Sequence, residues 1–348
     1  MIEYVPAADP EFTAHEDSRG TIYHQRGEYA LSSEEAVLLP VNRSYRPLEP
    51  DSTLTKNRLT AYQRDRLIHD TIPEPVDLIG KERLVQILGK SLLFLEIDNA
   101  NELVNSYSSK AEHNNQASDE SKRILEIIVN GLDKQGVQIE LGVHGSHAVG
   151  LNGVDSDLDL IAWSNRGARE DSIDVINDTL CSSGYTDANT TRKFDEYAMR
   201  IANLTGLPLV AGAYLANQRH RWMSPNGVST SLQCLHADYD HETAQNILNE
   251  ALSCAHENTG VVEDIPVEII GQSEPFNYPR LWTVLANHKQ SRLISFNMVH
   301  QSMGSDGRNA NNSGGQYLLK ASRLTLENGG DIYLMKDNSH YLLPAEVL

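Results

Sequence analysis

Val143-His144-Gly145-Ser146, then ten residues, then Asp157-Leu158-Asp159-Leu160: this stretch decides how the chain is read. Upstream, Val137, Ile139, Leu141 and Val143 alternate with Gln138, Glu140 and Gly142, the period of a half-buried strand. That strand runs straight into Gly145-Ser146. A tight turn there offers backbone N–H groups and a hydroxyl to an anion, and a glycine lets the anion come close to the chain. Downstream, Asp157 to Trp163 reads as a second strand. Residues two apart on a strand share a face. Asp157 and Asp159 therefore point the same way, and Leu158 points into the core.

Paired carboxylates beside an anion-binding turn suit nucleotidyl transfer. That reaction needs a nucleoside triphosphate held with its α-phosphorus open to an attacking hydroxyl. Two divalent ions, about 3.5–4 Å apart, can clamp the attacking and leaving oxygens, and magnesium prefers carboxylate, phosphate and water oxygens. The run from Gly145-Ser146 to Asp157-Leu158-Asp159-Leu160, with the strand before it, resembles the signature of the polymerase-beta-like nucleotidyltransferase superfamily. The resemblance is close around these residues and looser, in helix and strand order only, from about 118 to 255. The flanking regions resemble uncharacterised archaeal predicted nucleotidyltransferases.

The resemblance implies an α+β fold: a nucleotidyltransferase core of a small mixed sheet with flanking helices. It implies Asp157 and Asp159 as catalytic residues and as ligands of magnesium or manganese, and Gly145 and Ser146 as holders of the triphosphate. It also implies a third carboxylate on a later strand. The strand expected at Val228 to Leu235 carries Ser229, Ser231 and Gln233 instead. Asp238 and Asp240 follow that strand, and Glu268 lies further on. Arg219 and Arg221, close to the same strand, are the arginines best placed for phosphate oxygens, which guanidinium forks match in geometry. Arg192, Lys193 and Arg200 read equally well as a solvated helix face.

Other readings of these residues fail or say less. Asp155, Asp157 and Asp159 mimic the start of a calcium loop, but the glycine and glutamate required at its sixth and twelfth positions are Leu160 and Arg166 here. His144 and His147 read as polar neighbours of the turn rather than as a metal pair. His236, Asp238, Asp240 and His241 read as a strand-to-helix turn with Asp240 as a cap.

Outward from the motif, Ser118 is a candidate N-cap with Asp119 and Glu120 behind it, and Ile124, Leu125, Ile128 and Leu132 recur at helical spacing up to Gly136. Ile173, Ile176 and Leu180 suggest another helix. Residues 191 to 222 suggest one or two more, broken near Gly206-Leu207-Pro208, and Glu242 to His256 a further one. Four regions result: an extended arm over 1–58, rich in Pro, Ser, Glu and Asp; a helical region over 59–117, with one or two helices between Ile79 and Val104; a nucleotidyltransferase-like domain over 118–258; and a small β-rich domain, barrel-like, over 259–348.

Composition narrows the function. Across 348 residues, 48 acidic side chains outweigh 29 basic ones, and the net charge of −19 repels a nucleic acid backbone except at a local basic patch. No apolar run reaches the roughly 18 residues of a membrane span, and Met1 to Glu11 lacks the pattern of a secretory signal, so a cytoplasmic protein with no membrane partner is expected. Three cysteines without a C-x-x-C pair fit reduced thiols. The expected ligand is a nucleoside triphosphate, and the expected acceptor a hydroxyl on RNA, protein or a small molecule. The alternative is a nucleotide-binding regulator or RNA-associated adaptor on the same fold, without turnover.

Overall fold

The computed structural model describes residues 3–6, 14–17, 22–25, 29–32, 37–47, 62–65, 82–87, 90–97, 103–107, 118–150, 152, 156–164, 169–217, 220–236, 241–253, 258–272, 280–296, 316–326 and 330–348. Among these residues the fold is mixed α+β, with helices and three sheets.

Helix α1 (Asp119–Gln135), the first among the described residues, starts and stops where its sequence predicts. The Ser118 hydroxyl accepts the Ser121 N–H, and Gly136 ends the helix in the left-handed conformation at φ 69°. Its stripe of Ile124, Leu125, Ile128 and Leu132 is buried. Strand β10 (Glu140–His144) then pairs antiparallel with β11 (Leu158–Ser164). Helix α2 (Arg169–Ser182) packs on α1, so closely that a Cβ at Gly131 would lie 2.1 Å from Thr179 Oγ1. Two residues of strand, β12 (Thr186–Asp187), lead to α3 (Arg192–Thr205) and α4 (Leu209–Asn217). Residues 220–222, expected to lie in a helix, belong to strand β13 (His220–Met223) instead, because Trp222 and His220 are buried on one side by alternation rather than by helical period. Strand β14 (Ser229–His236) lies parallel to β11 and completes a five-stranded sheet of order β10-β11-β14-β13-β12. Val143, Leu158, Leu160, Leu232 and Trp222 face α1 and α2 and form one core with them.

Beyond α5 (His241–Ser253) the described residues form six strands and a short 3-10 helix, Ala345–Val347: the strands are β15 (Asn258–Gln272), β16 (Arg280–Ala286), β17 (Lys289–Ser295), β18 (Gln316–Thr325), β19 (Asp331–Met335) and β20 (Tyr341–Pro344). The sheet closes on itself, because the long β15 pairs with β16 through one half and with β18 through the other. The ring reads β15-β16-β17-β19-β18, with β17 and β19 parallel. Asn287 and His288, at φ 49° and 62°, make the two-residue turn between β16 and β17. Positive φ at both central positions is what such a hairpin turn requires. Ala198, Ile201, Ala211 and Leu215 of α3 and α4 share the barrel's core with Trp282, Val284 and Leu319.

The N-terminal expectations are corrected. Residues 3–6, 14–17, 22–25, 29–32 and 37–47, read as an extended arm, are strands β1 (Glu3–Pro6) to β5 (Val37–Pro47) of a nine-stranded sheet. Four of them are four residues long, too short for a period to show between Pro, Gly and charged residues. Ala14 and Ile22 are buried in the core of the central sheet. The helices expected between 79 and 104 are also strands. β6 is Tyr62–Asp65, and β7 (Glu82–Ile87) pairs with β8 (Lys90–Ile97) as a hairpin from Glu82↔Leu95 to Ile87↔Lys90. β9 is Leu103–Tyr107. Dense Leu, Ile and Val suit a buried strand as well as a helix, and Val85, Ile87, Phe94 and Ile97 tip the local preference towards strand. No described helix is long and apolar enough to cross a membrane.

Candidate functional site

Strand register brings four polar residues into one row. His144 of β10 pairs with Asp159 of β11, Asp159 with Ser231 of β14, and Ser231 with Arg221 of β13. Directly paired residues on neighbouring strands share a face. This face is opposite to the one that packs on α1 and α2, since Leu158 and Leu160, on either side of Asp159, are 1% and 0% exposed in that core. The Ser231 hydroxyl donates to Asp159 Oδ1 at 2.8 Å. Asp159 is half-buried and Asp157, one residue before β11, is exposed.

At the end of β10 the chain turns through a short 3-10 helix, Gly145–His147. Gly145 has φ 73°, a conformation that costs an L-residue about 1–2 kcal/mol. Gly145, Ser146 and His147 are buried, so Ser146, expected to reach a phosphate, is only 4% exposed. His147 is a structural tie. Its Nδ1 meets the Ser118 hydroxyl at 2.8 Å, its Nε2 meets the Ser156 carbonyl at 3.3 Å, and its own carbonyl accepts the Ser118 N–H at 3.1 Å. The start of α1 is thereby fastened to the turn. Burial holds the His147 pKa below its ordinary value, against the pull of the Ser156 carbonyl and of Glu120, Asp159 and Asp157. His144 is 8% exposed, and the ring of His24, from β3 (Ile22–Gln25), packs edge-on against it at 5.4 Å.

Arg221 is half-buried at the far end of the row. Its guanidinium lies over the Tyr197 ring of α3, Cζ 3.8 Å from the centroid. Its Nε is buried without a hydrogen-bond partner. Arg219 lies outside the described residues, as do Asp238 and Asp240. Of the other cations, Lys193 donates to the Gly227 carbonyl at 3.2 Å, Arg192 pairs with Glu196 one turn on, and Arg200 is exposed. Glu268 is exposed on β15, in the barrel and not in this sheet.

Ser231 thus occupies the position facing Asp159 on the strand where a third carboxylate was sought. Among the described residues, no three or more His, Cys, Asp or Glu side chains group as metal ligands. The two aspartates nonetheless match magnesium chemistry, because that ion is commonly held by one or two carboxylates together with substrate phosphates and water. Sequence reading did not find the Ser231–Asp159 bond, the Tyr197–Arg221 stack or the His24–His144 contact. The first could be read by laying β14 beside β11 in parallel; the other two join segments far apart in the chain and leave no local signal. A cavity of about 560 Å³ between α1 and α2, lined by Asn130, Lys134, Asp174 and Asp178 among others, includes none of the row. Comparison with protein-family models, with curated proteins and with solved structures finds no match.

Proposed function

We propose that the chain is a metal-dependent nucleotidyltransferase that moves a nucleoside monophosphate from a nucleoside triphosphate to a hydroxyl acceptor. The row Asp159–Ser231–Arg221, beside the Gly145 turn, carries this reading: it sets a carboxylate and a guanidinium on one sheet face. Asp157 and Asp159 would hold magnesium or manganese, which when bound supplies charge neutralisation at the reacting phosphate. The Ser231 hydroxyl orients Asp159 by occupying one lone pair of Oδ1. Arg221 binds the triphosphate oxygens, and Gly145 sets the chain direction at the head of the turn. The acceptor hydroxyl gives its proton to solvent, its oxygen attacks the α-phosphorus, the bond from that phosphorus to the oxygen bridging the β-phosphate breaks, and pyrophosphate leaves. Rate enhancement comes from positioning and from preset charge.

The acceptor is to be sought first among single-stranded nucleic acids. The ring β15-β16-β17-β19-β18 with its parallel β17–β19 pair has the strand order of oligonucleotide- and oligosaccharide-binding barrels, and this rests on fold-level analogy. A second reading, a nucleotide-binding regulator without turnover, is favoured by Ser231 standing where an acid would help deprotonate the acceptor. Purified protein incubated with labelled nucleoside triphosphates, magnesium or manganese, and RNA separates them. Pyrophosphate release that vanishes in Asp157→Ala and Asp159→Ala supports the enzyme. Binding without release supports the regulator, and absence of binding removes both.

A further inference from the structure

We infer that Tyr197 is a positioning residue: its ring fixes the Arg221 guanidinium as a polyphosphate subsite at the end of the Asp159–Ser231 row. The inference deepens the nucleotide reading above by stating what this edge of the site recognises, namely the phosphate chain and not the nucleoside.

Arg221 Cζ stands 3.8 Å above the Tyr197 ring, well inside the roughly 6 Å over which a cation is drawn to an aromatic face. Stacking uses the flat side of the guanidinium and leaves its N–H edge for in-plane acceptors. That edge lacks an acceptor at Nε, which is buried without a hydrogen-bond partner. Buried N–H groups are ordinarily satisfied; a ligand oxygen drawn to the half-buried guanidinium would satisfy this one once the atoms that cover it shift. The ring beneath is itself immobilised. Tyr197 precedes Ala198, which is 2% exposed, and Phe194 and Tyr197 both pack on the core that α3 and α4 share with the barrel. Arg221 is two strands from Asp159, about 10 Å at the usual strand spacing. A polyphosphate held by the fixed cation at one end therefore approaches Asp159 at the other, where a divalent ion would have to stand between its oxygens and the carboxylate. An arginine already held in one arrangement loses less freedom on binding, which is what Tyr197 contributes.

The probe is inorganic tripolyphosphate, alongside a nucleoside triphosphate and the matching nucleoside, titrated calorimetrically with and without magnesium. In Tyr197→Leu, affinity for tripolyphosphate and for the triphosphate should fall about fivefold or more, as loss of a cation–aromatic contact predicts. Tyr197→Phe keeps the aromatic face and should stay within about twofold. Nucleoside binding should not change in either. Arg221→Lys keeps the charge but not the flat stack, and should bind tripolyphosphate more weakly than the parent with no further loss on adding Tyr197→Leu. If Tyr197→Leu does not fold, Arg221→Lys and Tyr197→Phe carry the test. Equal tripolyphosphate affinity in the parent, Tyr197→Leu and Arg221→Lys overturns the inference, as does an equal loss for nucleoside and triphosphate. Tripolyphosphate binding that depends on Tyr197 but comes without pyrophosphate release leaves the subsite standing and overturns the enzyme alone.

Discussion

Along one face of the sheet β10-β11-β14-β13-β12, Val143, Leu160 and Leu232 stand in register and are 1%, 0% and 3% exposed. Along the other, one residue away on each strand, stand His144, Asp159, Ser231 and Arg221. The same backbone hydrogen bonds hold both rows. Only the first is locked by packing against α1 and α2; the second is joined by a hydroxyl–carboxylate bond and a stack on Tyr197. Stability and recognition are therefore carried by alternate residues of the same strands, and substitutions one position apart should act on different properties.

The largest expected effect tests the apolar row. Leu160→Ala should lower unfolding free energy by about 2–5 kcal/mol, read from urea unfolding; a loss below 1 kcal/mol would show that α1 and α2 do not depend on this face. Gly145→Ala comes next, at about 1–2 kcal/mol, because its φ of 73° disfavours any Cβ. It lies where β10 ends, so it should disturb both rows, and unchanged stability with unchanged ligand binding would argue against the turn as drawn. Ser231→Ala removes one hydrogen bond and should cost only about 0.5–1.5 kcal/mol, while altering nucleotide binding with metal. Should it destabilise as much as Leu160→Ala, the division between the faces would collapse.

The smallest effect is a slope with pH. His147 has a pKa below the ordinary 6.5, so its neutral form is the one the fold favours. Its contribution is complete above about 6.5 and is lost as pH falls from there through the lowered folded value. Denaturation midpoints at pH 7.5 and 5.5 should differ in that sense, and His147→Gln should flatten the difference. Part of the slope will persist, because His340, 1% exposed in the barrel, is shifted the same way by burial.

The central region was legible because its signals are local. Ser118 and Gly136 bracket α1, alternation marks β10, and Gly145 and the aspartates fall at the ends of two adjacent strands. Legibility failed where pairing is distant or elements are short. The N-terminal strands draw their order from partners such as β2 (Ala14–Asp17) with β9, where Ala14 meets Tyr107. Nothing in residues 14–17 alone announces that. Arg221 was chosen for its proximity to a strand, yet what holds it is Tyr197, on a helix whose visible pattern describes only its packing on the barrel.

The closure of the barrel has a consequence for the order of events during synthesis. Asn258 at the start of β15 pairs with Leu324 near the end of β18, and β19 stands between β17 and β18, so the ring cannot close until residue 335 has left the ribosome. The five-stranded sheet needs nothing beyond His236 for its own pairing and can assemble on the nascent chain much earlier. In the interval, Ala198 and Ile201 of α3 have no barrel to cover them. A chaperone that engages this chain co-translationally should dwell on α3 and α4, and release them when β19 emerges.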